Sequence, residues 1–122
     1  MRRTFHELLK KEIPYPTHLY LVKGRPEHRE CGRLCLFRNR QGSWYFEIYL
    51  WLPNIYEFTK KVGIPLRVGI KFVLWHEIYH AKLFHNGGFL IPLNCYPEQY
   101  AKAAALNHVP LEYRDKVTQW SF

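Results

Sequence analysis

The residues His76-Glu77-Ile78-Tyr79-His80 have the types and the spacing to do chemistry. On a helix, positions four apart share one face, so the imidazoles of His76 and His80 can reach one metal ion. Glu77 stands about 100° round from His76. There it can sit beside the ion without ligating it, which is the place of a general base that activates water. With seven histidines and ten acidic residues in 122, such a chain contains HExxH by chance in roughly 3 % of cases. The flanks Val73-Leu74-Trp75 carry no charge, as a helix packed into a core requires.

A catalytic zinc usually takes three protein ligands and leaves one position open for water. Four residues could supply the third. His85 lies five residues past His80, about 140° off the shared face. Cys95 precedes the next helix and His108 ends it. Glu98 is separated from His80 by seventeen residues. It opens a helix whose Ala101, Ala103, Ala104 and Ala105 could press closely against the HExxH helix. A glutamate in a first helical turn is also favoured by the helix dipole alone. An oxyanion needs a donor, and His108, Tyr96, Tyr100 and Tyr113 can each provide one.

These residues must be positioned by the elements around them. Pro65 suits the first turn of a long helix that runs to about Asn86 and stops at Gly87-Gly88. Pro97 opens the next helix, over about 98–107. Upstream, Thr4 to Glu12 fits a short amphipathic helix capped by Thr4 with Glu7 three residues later. His18 to Lys23, Arg33 to Arg38 and Ser43 to Leu52 read as strands, and Asn39-Arg40-Gln41-Gly42 as a hairpin turn between the last two. The third strand is apolar on both faces, so it packs on two sides or lines a cleft. It is also a candidate to bind extended peptide by strand addition. Asn54 to Lys61 fits a helix capped by Asn54 and stopped by Gly63. The tail, 109–122, shows no periodicity. The expected fold is a small single α+β domain over 1–122, with a three-stranded antiparallel sheet against the HExxH helix and the glutamate helix.

Composition bounds the function. Apolar residues are 48 % and charged residues 23 %, the balance of a folded domain rather than a disordered one. Cys31, Cys35 and Cys95 are too few for a disulfide scaffold. No apolar run approaches the ~18 residues of a membrane span, and the N-terminus lacks a secretory pattern. A cytoplasmic protein without membrane contact is expected. The net charge is +8, and residues 1–40 carry ten basic and four acidic side chains. That excess admits nucleic acid as a partner, although no recognised nucleic-acid motif accompanies it.

His76-Glu77-x-x-His80, followed by Glu98 on an alanine-rich helix, resembles the gluzincin clan of zinc metallopeptidases. The small size, the three strands before the active-site helix and the later glutamate helix resemble the minigluzincins in particular. The resemblance implies a zinc-dependent peptidase of peptide or protein substrates. It implies His76, His80 and Glu98 as ligands of Zn2+ and Glu77 as general base, with a latent zymogen state and a homodimer in that state. It makes the tail ending Trp120-Ser121-Phe122 a candidate plug for the cleft. The other reading of the same residues is a basic HExxH-containing regulator that binds nucleic acid or protein and cleaves little.

Overall fold

Trp44–Trp51 (β3) is the middle strand of a three-stranded sheet. The computed structural model describes residues 2–13, 15–85 and 95–120. The other elements are α1 (Arg2–Glu12), β1 (Thr17–Val22), β2 (Gly32–Arg38), α2 (Leu52–Val62), α3 (Leu66–His85), α4 (Cys95–Leu106) and α5 (Leu111–Val117). β2 pairs antiparallel with β3, from Gly32 opposite Leu50 to Arg38 opposite Trp44. The expected turn closes this hairpin, with Asn39 Oδ1 accepting the backbone N–H groups of Gln41 and Ser43 at 2.9 Å each. β1 pairs parallel with β3, from Thr17 beside Phe46 to Val22 beside Trp51.

The sheet is therefore mixed, in the order β1-β3-β2, and not antiparallel throughout as expected from the sequence. The reason is the route of segment 23–31. Instead of turning β1 tightly into β2, it carries the chain across the slot between them, a step of about 10 Å. β3, the longest and most apolar strand, then fills that slot, where both of its backbone edges are paired. This also removes β3 as an edge for strand addition. The edges of the sheet are β1 and β2.

The helices cover one face of the sheet. Phe46, Ile48 and Leu50 point into it and are fully buried with Val73, Leu74 and Ile78 of α3. α1 adds Phe5 and Leu9 to the same core, and Glu12 pairs with Lys82 of α3. α2 begins at Leu52 with Pro53 in its first turn, one turn earlier than the Asn54 cap implies. The Asn54 amide instead donates to the carbonyls of His28 (3.0 Å) and Glu30 (2.7 Å), tying the 23–31 segment to the helix. Gly63 ends α2 in the left-handed conformation, φ 79°, which a residue without Cβ adopts freely. Gly69 lies within α3, where a Cβ would collide with the Thr59 methyl, so the glycine lets α2 and α3 close together.

The tail forms α5, which no periodicity announced. Beyond it Trp120 is completely buried, stacked on Phe58 at a ring separation of 4.2 Å and tilted against Phe72 at 5.5 Å. Lys102 of α4 donates to the carbonyls of Thr118 and Trp120, at 3.1 and 2.5 Å. The segment offered as a cleft plug is thus, as far as Trp120, part of the core. Ser121 and Phe122 lie outside the described residues. No helix among the described residues is long and apolar enough to cross a membrane.

Candidate metal centre

α3 carries the HExxH residues on its buried side because the core already holds its neighbours Phe72, Val73 and Ile78. His76 is 2 % exposed and Glu77 4 %, burial that polar groups sustain only with partners. α4 packs along α3 through Ala101 and Ala105, both fully buried. Their small side chains allow the close approach, and this brings Glu98 in the first turn of α4 over the histidine pair.

The resulting geometry joins two helices through four side chains. The rings of His76 and His80 stand 4.6 Å apart and nearly perpendicular. Glu98 Oε1 lies 3.1 Å from His76 Nε2 and 2.5 Å from His80 Nε2. His76 Nδ1 donates to Glu77 Oε1 at 3.0 Å. Burial opposes a charge on His76, but its bonds to Glu77 and Glu98 outweigh it and push its pKa up to about 9. The same contacts, from His76 first and then His80, hold Glu98 well below the usual carboxylate range against its partial burial.

The donor set suits a divalent cation. His76, His80 and Glu98 each offer one ligand atom, and these atoms all lie within 4.8 Å of one another. Tetrahedral zinc with bonds near 2.0–2.1 Å spaces its donors by about 3.3 Å. The histidine–carboxylate distances here are somewhat shorter, those of hydrogen bonds, so small side-chain rotations open the triad to that spacing. Charge makes the same point. Glu77 and Glu98 place two carboxylates beside two imidazoles, and a buried charge of this kind needs compensation. Protons on the imidazoles or one divalent cation can supply it. The Glu77 bond to Nδ1 holds His76 with Nε2 turned toward the triad, the outer contact that metal-ligating histidines commonly make.

Other residues singled out in the sequence fall elsewhere. His108 lies between the elements α4 and α5, its ring stacked on Trp75 at 3.5 Å and its Nε2 bonded to Tyr79 Oη at 2.8 Å. Burial lowers its pKa from the ordinary value. Tyr100 packs edge-on against Tyr79 at 6.2 Å. Both therefore gather round Tyr79, on the flank of α3 next to the metal-site flank. Tyr113 packs against the core. The side chains of His85, Cys95 and Tyr96 lie outside those described.

Gly32, which motif spacing alone does not single out, also shapes the site. Gly32 opens β2 against α3, where a Cβ would meet Val73 Cγ1 at 2.6 Å and Glu77 Cγ at 3.4 Å. A glycine at the start of a strand is the signal for such close backbone approach. Lys82 pairs with Glu12 and stands over the Tyr79 ring at 5.3 Å. No family model, curated protein or solved structure compared with the chain matches it.

Proposed function

We propose that the chain is a zinc-dependent peptidase of the minigluzincin kind, with a site built from α3 and α4. The observation that carries this reading is the convergence of His76, His80 and Glu98 on one point, with Glu77 beside them. His76 Nε2, His80 Nε2 and a Glu98 carboxylate oxygen would hold the ion. When bound, zinc supplies Lewis-acid polarisation of a substrate carbonyl and makes water a better nucleophile. The protein moves the proton. Glu77 engages His76 through Oε1. That bond lies on the side of the ring away from the triad, so a side-chain rotation that releases Glu77 from Nδ1 would let its carboxylate take a proton from the attacking water and return it to the leaving amine. Burial of Glu77 keeps bulk water from competing for it.

The substrate would bind as a strand. Among the described residues β2 is paired only with β3, so its outer edge can accept an extended peptide. β2 is also the strand that Gly32 brings against Glu77. This replaces β3 as the strand for substrate addition.

Glu77→Gln provides the test, with casein and a peptide library as substrates. The expected outcome is wild-type zinc content and a fall in cleavage of at least about 100-fold, the scale of general-base catalysis. Cleavage at the wild-type rate with zinc retained contradicts the assignment. Loss of zinc together with activity makes Glu77 a positioning residue for His76 instead of the base.

A further inference from the structure

We propose that the face of the sheet turned away from the helices binds single-stranded nucleic acid, independently of the metal site. Alternation along the strands and the observed register lay out this face residue by residue. One row across the sheet is Arg33, Tyr49 and Tyr20. The next toward the hairpin is Cys35, Glu47 and His18. At the hairpin end stand Phe37 and Tyr45, and at the opposite end Trp51. None of these side chains is buried. Tyr20 is 41 % exposed and Phe37 40 %, high values for aromatics on a sheet that carries a core on its other side.

The rings are ordered for stacking. Tyr20 and Tyr49 lie 15° from parallel at 5.0 Å, and Tyr49 and Trp51 16° from parallel at 6.0 Å. Phe37 and Tyr45 form a second near-parallel pair at 5.6 Å, with His18 edge-on to Tyr45. Bases stack on such rings whatever their sequence, since every base has a π-face. Between the two aromatic groups, Glu47 accepts hydrogen bonds from Tyr49 at 2.6 Å and Tyr20 at 3.5 Å. Its carboxylate holds both rings and can accept from the amino and imino groups of a splayed base.

Charge selects the occupant. The strands and turns that frame the face, residues 17–51, hold six basic and three acidic side chains, within a chain of net charge +8. Arg33, its guanidinium also held by Glu30 at 2.8 Å, spans Trp51 at 5.5 Å on this face, while Arg38, over Trp44 at 4.9 Å, alternates to the other side of the sheet at the hairpin end. A second copy of the same chain would bring like charges together here. A polyanion with planar, unpaired bases meets both features, and duplex DNA, whose bases are already stacked and paired, meets only the charge.

The experiment is a fluorescence-anisotropy titration of the full chain with labelled (dT)20 and with a 20-bp duplex, at 50 and 200 mM salt. The expected result is preferential binding of (dT)20, weakening with salt. Tyr20→Ala and Tyr49→Ala should each raise Kd about tenfold, while Tyr20→Phe, which keeps the ring, binds as wild type. Circular dichroism and zinc content of the variants should match wild type, since these rings lie outside the core. Equal Kd for wild type and both alanine variants overturns the proposal and leaves only diffuse charge. Absence of (dT)20 binding overturns it too, and self-association lost in the same variants would then assign the face to a second copy.

Discussion

The two faces of one sheet differ more than the strand sequences suggest. β3 alternates large apolar residues on both sides. On the helix side Phe46, Ile48 and Leu50 are fully buried. On the other side Tyr45, Tyr49 and Trp51 remain half-buried, packed against rings of the neighbouring strands, His28 and Arg33. The lesson concerns what apolar patterning means. Burial requires a partner layer, and this chain's helices all contribute to one core. Among the described residues no second layer packs on the other face, which leaves part of its aromatic area exposed.

The contrast can be broken by substitution. Ile48→Ala removes a completely buried side chain and should cost about 2–5 kcal/mol in urea unfolding. Tyr49→Ala, its near neighbour on the open face, should cost less than about 1 kcal/mol. Similar losses at both positions would show that the open face is covered. Gly32→Ala places a methyl group against Val73 and Glu77 on the covered side. It should cost about 1–3 kcal/mol by overpacking and weaken zinc retention by shifting Glu77 from His76. Unchanged stability and zinc content would show that β2 moves freely against α3.

The smallest expected effect concerns the cysteines. Burial pushes the Cys31 thiol up to about 11 from its ordinary 9.0, while Cys35 stands half-buried on the open face. In the folded chain Cys35 should alkylate faster than Cys31 at pH 8, and Cys31 should react at comparable speed only in urea. The sign for stability follows from the raised value. The unfolded thiol ionises first, so the contribution of Cys31 is intact below pH 9 and is lost as pH rises toward 11. Equal alkylation rates at pH 8 would place Cys31 outside the core.

The elements that the sequence makes legible are those governed by near neighbours. The HExxH helix depends on spacing within one turn, and the β2–β3 hairpin on four turn residues, so both follow from local rules. Sheet order does not, because β1 pairs with a strand some thirty residues later and no short-range signal separates parallel from antiparallel entry. α5 is only seven residues long, too short for periodicity to register. The burial of Trp120 depends on Phe58 and Phe72 meeting in space. At the site, His76, Glu77 and His80 could be read from spacing, and Glu98 from its alanine-rich helix. The contribution of Gly32 could not be ranked without knowing which helix crosses β2.

The central claim is that His76, His80 and Glu98 form one metal site. Elemental mass spectrometry of the purified chain tests it most directly, for wild type and Glu98→Ala after equilibration with zinc and removal of the excess. The account predicts about one zinc per chain in wild type and its loss or strong weakening in the variant. Zinc bound equally well by both, or by neither, would contradict it.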